Sequence, residues 1–104
     1  MLSKCKVTVM RRGLDEELIA EYLDAKYADM DRCDNFREGQ EFVIDKAFSI
    51  PEGFCPSAWA SIRHTILRVA SGGDMPGFKE PGTEIDSCHD WFRPVMFRIE
   101  RIDD

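Results

Sequence analysis

The sequence predicts an α+β domain: a four-stranded, mostly antiparallel sheet with two helices on one face, in the order strand, helix, strand, helix, strand, strand. Three observations carry this expectation. Cys5, Val7 and Val9 alternate with Lys6, Thr8 and Met10, and Val95, Phe97 and Ile99 alternate with Met96, Arg98 and Glu100, which is the period of strands with one buried face. Between them, the run from Pro56 to Gly72-Gly73 repeats its apolar residues at helical spacing.

After the first strand, Arg11-Arg12-Gly13 turns the chain, and Asp15-Glu16-Glu17 forms an acidic first turn suited to the positive end of a helix. Leu18, Ile19, Tyr22, Leu23 and Tyr27 extend one apolar stripe, so the first helix is expected from about residue 15 to 27, lying against the sheet. Residues 28–40 shift to Asp, Arg, Asn and Gly and read as a loop; it holds Cys33, with Phe36 as its large apolar group. Its Asp29, Asp31 and Asp34 lack the glycine and glutamate of a calcium loop.

EFVID, from Glu41 to Asp45, reads as a short strand, and apolar groups on both faces suggest an interior one. Pro51-Glu52-Gly53 then makes a turn before the second helix, which begins at Pro56, where the missing N–H is harmless, and stops at the paired glycines. Stepping about 100° per residue places Trp59, Ile62, Ile66, Val69 and Ala70 on one core arc, with Ala60 and Leu67 at its edge. Arg63 falls in the same arc and must reach out or find a partner, while His64 and Arg68 belong to the polar flank. Residues 83–88 alternate as a further strand and should pair with the last strand as a hairpin turning at His89 to Phe92.

The length of 104 residues suits a single domain spanning residues 1–104, able to bury roughly two-thirds of its unfolded surface. Twenty acids against 14 bases give a net charge of −6, which argues against a nucleic-acid partner, whose phosphates require clustered Lys and Arg. No apolar run approaches a membrane span, and the alternating first ten residues read as a strand rather than a signal peptide. The expected location is therefore cytoplasmic, with Cys5, Cys33, Cys55 and Cys88 reduced. Cys5 sits in a strand and packs as a small hydrophobe.

The segments FREGQEF (Phe36 to Phe42), PEGFCPSAWA (Pro51 to Ala60), the Gly72-Gly73 pair, Cys88-His89-Asp90 and RPVMFRIERI (Arg93 to Ile102) together resemble a family of small proteins without an established activity from anaerobic bacteria and archaea. The resemblance spans Lys6 to Ile102. It implies cysteines at the positions of Cys33, Cys55 and Cys88 but not Cys5, and departs at Pro56-Ser57, where members often carry serine followed by tryptophan.

Three functional readings are open. In the first, Cys33, Cys55, Cys88 and His89 form a three-sulfur, one-nitrogen set for zinc or another thiophilic metal, although their sequence intervals contain no C-x-x-C knuckle. In the second, Cys55 at the mouth of the second helix is a catalytic nucleophile, because a helix N-terminus favours an anionic sulfur, with Cys33 or Cys88 as resolving partner and His89 or Asp90 nearby. The third is a binding or accessory module that holds a small molecule beneath Met75, Phe78, Trp91 and Phe92, or meets a second copy of itself as a homodimer. No G-x-S-x-G elbow, phosphate-binding glycine loop or dinucleotide fingerprint is present.

Overall fold

In the computed structural model, which describes residues 2–102, seven elements follow one another: β1 (Lys4–Arg12), α1 (Glu16–Tyr22), a 3-10 turn (Ala25–Tyr27), β2 (Glu41–Ile44), α2 (Pro56–Ala70), β3 (Thr83–Ser87) and β4 (Val95–Ile102). The α+β class and the order of strands and helices are as the patterning predicts. All pairings are antiparallel and the sheet order is β2-β1-β4-β3, so the first and last strands form its centre. The ladder between them runs from Lys4 opposite Ile102 to Arg12 opposite Val95, with one register shift between Val9 and Arg11.

The alternation of β1 and β4 translates directly into packing. Cys5, Val7 and Val9 face inward with Val95, Phe97 and Ile99, and all six are essentially inaccessible to solvent. β2 contributes Phe42 and Ile44 to this face, but it is an edge strand rather than an interior one, because Val43 on its other side lies in solvent at 53% exposure. The apolar groups on both sides of EFVID therefore reported one buried face plus an exposed valine.

The helix that completes the core is α2. Its buried residues are Ala58, Ile62, Thr65, Ile66, Val69 and Ala70, so the inward face is rotated from the expected arc: Thr65 is inside, whereas Ala60 and Leu67 are exposed. The cause lies in β3. Its alternation places the carboxylates of Glu84 and Asp86 toward the helix, where Thr65 Oγ1 donates to Asp86 Oδ2 at 2.6 Å and Arg68 donates through Nε to Glu84 Oε2 at 2.9 Å and through Nη2 to Oε1. Glu84 is only 2% exposed, and its hydrogen bond raises the already high pKa of Arg68. A flank that reads as polar and wet is thus turned toward a strand that supplies its partners. Arg63, by contrast, is exposed and lies 4.9 Å over the ring of Phe48.

Both ends of α2 follow from local chemistry. At the C-terminal end Gly72 takes φ +93°, and a side chain on Gly73 would collide with Arg68, so the two glycines are demanded by different constraints. Arg101 of β4 closes this end by donating to Val69 O at 2.9 Å, Gly73 O at 3.3 Å and Asp74 Oδ1 at 3.4 Å, a cation at the negative pole of the helix.

α1 is shorter than its stripe suggests. Asp15 caps it by accepting from Leu18 N at 3.0 Å, as the acidic first turn implies, but the helix ends at Tyr22. Asp24 then caps a separate 3-10 turn by accepting from Lys26 N, a local bond that competes with helix continuation. Ile19 is the buried residue of α1 and stands apart from the main core cluster, while Tyr22 and Tyr27 are 69% and 45% exposed. The expected docking of the whole stripe against the sheet does not occur.

Burial also settles the chemistry of Cys5, whose thiol is pushed from 9.0 up to about 11 by desolvation, with Arg101 pulling in the opposite direction. Because the folded-state value lies above the unfolded one, the stabilisation is complete below about pH 9 and is lost as pH rises toward about 11. Wild type should therefore lose on the order of 2 kcal/mol more stability than Cys5→Val between those two conditions, measured by urea denaturation; identical pH profiles would show that Cys5 is not held as a buried thiol.

Candidate functional site

Three of the four cysteines line a single cavity of about 180 Å³ at the N-terminal mouth of α2. Cys33, Cys55 and Cys88 share it with Asn35, Ser57, Asp90 and Arg93, over an apolar floor of Phe36, Ala58 and Val95. All three cysteines are half-buried free thiols, whereas Cys5 is fully enclosed in the core away from them.

Each sulfur arrives by a different route. Cys33 belongs to the polar loop at 28–40, which is pinned at several points. Arg12 donates through Nη1 to Cys33 O at 2.9 Å and through Nε to Glu38 Oε2 at 2.7 Å, and Arg32 Nε donates back to Arg12 O at 3.0 Å. The Arg12–Glu38 hydrogen bond lowers the Glu38 carboxyl below its ordinary value and raises Arg12. Within the same loop Phe36 is 2% exposed, with ring centroids 5.2 Å from Phe54, 5.2 Å from Phe97 and 5.9 Å from Phe42, all edge-on. A loop of polar composition is thus anchored by its one buried aromatic side chain.

Cys55 is the N-cap residue of α2, placed there by the turn in which Phe54 N donates to Pro51 O and Gly53 adopts φ +80°. Its side chain accepts no capping bond from the helix, so the sulfur is free of the role that most N-cap side chains fill. Asn35 approaches it instead, with Nδ2 3.8 Å from Sγ. Cys88 follows β3 and its sulfur accepts from Val95 N at 3.3 Å, while Cys88 N donates to Val95 O at 3.1 Å.

The remaining wall is the turn after Cys88. Asp90 Oδ1 accepts from Phe92 N at 3.1 Å and Arg93 N at 3.0 Å, and Asp90 Oδ2 accepts from Arg93 Nε at 3.1 Å. One carboxylate therefore shapes the turn and holds the guanidinium. The Asp-x-x-Arg spacing at residues 90–93 is the sequence signal that would have pointed to this pair; Asn35 carries no such signal.

His89 does not join the cavity. It is exposed, and its backbone N–H donates to Ser61 Oγ at 3.2 Å on the outer side of α2. Among the described residues no group of three or more His, Cys, Asp or Glu side chains is placed to hold a metal ion. The four-ligand set of Cys33, Cys55, Cys88 and His89 is thus reduced to three sulfurs that share a cavity without forming a coordination sphere.

The four residues expected to cover a small molecule are divided between opposite ends of α2. Met75 and Phe78, each 40% exposed, lie in the loop after its C-terminal end, about 22 Å along the helix from Cys55. Trp91 and Phe92 lie near its N-terminal end, and even these two line different cavities: Trp91, 76% exposed, faces the start of α1, and Phe92 faces Leu23 and Tyr27. Trp59 is a packing residue, half-buried against Phe48 at 5.4 Å and Phe54 at 6.3 Å.

A scan against protein-family models and searches of curated proteins and of solved structures return no match for this chain.

Phe36 provides the structural test of this assembly. Phe36→Ala should cost about 3–5 kcal/mol in denaturant unfolding, and Phe36→Leu distinctly less. In Phe36→Leu, amide hydrogen exchange across residues 30–38 should accelerate more than in β1 and β4. Uniform acceleration would show that the loop is not anchored by this ring.

Proposed function

We propose that this protein is a small-molecule-binding module that acts by thiol chemistry in the three-cysteine cavity, with Cys55 as the attacking sulfur. The observation that carries the reading is the convergence of Cys33, Cys55 and Cys88, separated by 22 and 33 residues in sequence, on one cavity of about 180 Å³. The core between the sheet and α2 is already filled by fully buried side chains, so it has no structural need for three half-buried thiols around a void. The resemblance to the family with cysteines at the same three positions supports the same choice.

Cys55 is preferred as nucleophile because it stands at the positive pole of a fifteen-residue helix and its sulfur is not consumed in capping. Cys88, held by the Val95 N–H, and Cys33 supply the second sulfur. The cavity has room for roughly six water volumes at ~30 Å³ each, which selects a compact reacting group rather than a polypeptide disulfide.

The chemistry that fits is exchange with a low-molecular-weight disulfide. Cys55 loses its proton and its sulfur attacks one ligand sulfur. The ligand S–S bond breaks as the Cys55–ligand bond forms, and the departing thiolate takes up the proton. Cys33 or Cys88 then attacks the Cys55 sulfur in the same way and releases the other half of the ligand as a thiol. Two electrons pass from two protein thiols to the ligand disulfide, and a dithiol reductant returns the protein to its starting state.

Alkylation of oxygen-free protein with iodoacetamide, followed residue by residue by mass spectrometry, tests this assignment. Cys55 should react first, by about tenfold or more over Cys33 and Cys88, and Cys5 should react only after unfolding. Reaction of Cys33, Cys55 and Cys88 at equal rates, or of Cys5 before Cys55, would overturn it.

A further inference from the structure

The thiol cavity shares its Asp90–Arg93 wall with a second, more open cavity of about 320 Å³. The early end of α1 creates this groove. Because the helix stops at Tyr22 and re-forms as a 3-10 turn, Leu23 and Tyr27 come to one wall, and Met30 joins them through a turn in which its N–H donates to Tyr27 O at 3.0 Å. Phe92 forms the facing side. Apart from the Asp90–Arg93 pair, the lining is apolar.

The free groups that the pair offers are mainly donors, since three of the four acceptor sites of Asp90 are filled. Both oxygens of Asp90 are already engaged, Oδ1 by two backbone N–H groups and Oδ2 by Arg93 Nε. Among the described residues, Arg93 Nη1 and Nη2 donate to no protein acceptor, so a guanidinium fixed through Nε keeps its outer edge free on a residue that lines both cavities. A planar anion with two oxygens matches that edge, and an ammonium group does not.

Resting on the thiol chemistry proposed above, we infer that the ligand is an aryl carboxylate disulfide. Its ring lies in the groove of Leu23, Tyr27, Met30 and Phe92, its carboxylate pairs with Arg93, and its sulfur reaches Cys55. The apolar groove supplies affinity, Arg93 supplies orientation, and the small thiol cavity admits only the reacting sulfurs. Since the chain carries a net charge of −6, a preference for an anionic reagent must come from this local guanidinium rather than from the overall field.

Three reagents separate the contributions: 5,5′-dithiobis(2-nitrobenzoate), which is aromatic and carboxylated; 4,4′-dithiodipyridine, aromatic and neutral; and 3,3′-dithiodipropionate, carboxylated without a ring. The rate of mixed-disulfide formation at Cys55 is divided for each by its rate on the denatured chain. The first reagent should exceed each of the others by about tenfold or more in wild type, a comparison that requires no variant to fold. Arg93→Gln should slow both carboxylates about tenfold and leave the dipyridine within about twofold, and Met30→Glu should slow the two aromatic reagents. Equal normalised rates, or an Arg93→Gln effect of the same size on all three, would overturn the ligand class while leaving the thiol chemistry standing. Absence of any reaction at Cys55, whether as a mixed disulfide or as a disulfide to Cys33 or Cys88, would overturn both.

Discussion

The site depends on one packing arrangement, the aromatic cluster of Phe36, Phe42, Phe54 and Phe97, whose contacts are edge-on except for the tilted Phe54–Phe97 pair. Each ring comes from a different part of the chain: the polar loop, strand β2, the turn before α2 and strand β4. Phe36 is three residues after Cys33, Phe54 directly precedes Cys55, and Phe97 sits on the strand that pairs with β3 just before Cys88. Locking the rings together therefore fixes the three sulfurs relative to one another. The loop could not reach this position by its own composition, since ordering each of its residues costs about 1–2 kcal/mol of backbone entropy. One buried phenyl ring and the Arg12 bonds offset that cost.

The two ends of α2 are finished in opposite ways. At the C-terminal end, Arg101 occupies the free carbonyls and the glycine pair closes the turn, so that pole is saturated by the protein itself. At the N-terminal end, Cys55 stands at the cap without capping. A serine or aspartate there would satisfy a helix N–H and contribute about 1 kcal/mol. The positive pole is left instead facing a cavity bounded by sulfur, amide and guanidinium groups.

The parts of this architecture that were legible in the sequence are those governed by local periodicity. Val7, Val9, Phe97 and Ile99 announce their strands because each alternates with a polar neighbour, and Pro56 and Gly72-Gly73 bound the helix by backbone chemistry alone. What depended on partners distant in sequence was not legible. Arg68 looks solvent-facing until β3 places Glu84 opposite it, and the inward turn of Thr65 depends on Asp86 of the same strand. The stripe from Leu18 to Tyr27 promises a longer helix, yet a single Asp24 side-chain bond redirects the chain. Of the candidate site, the three outlying cysteines could be separated from Cys5 by their settings in loop, helix mouth and strand end, whereas Asn35 and Arg93 depended on contacts across 20 residues of chain and on a turn conformation.

The same contrast bears on why the thiols are not a metal knuckle. A structural zinc site draws ligands from tight C-x-x-C turns because short spacing presets sulfur positions before the core forms. Here the sulfurs are brought together only by completed tertiary structure, through an aromatic cluster drawn from separate parts of the chain. The thiols are not buried into a closed shell. They remain half-exposed around a void, next to a guanidinium held by one nitrogen. In the reading proposed above, that arrangement admits and releases a ligand, with the sulfurs at one end and a guanidinium to orient the molecule at the other.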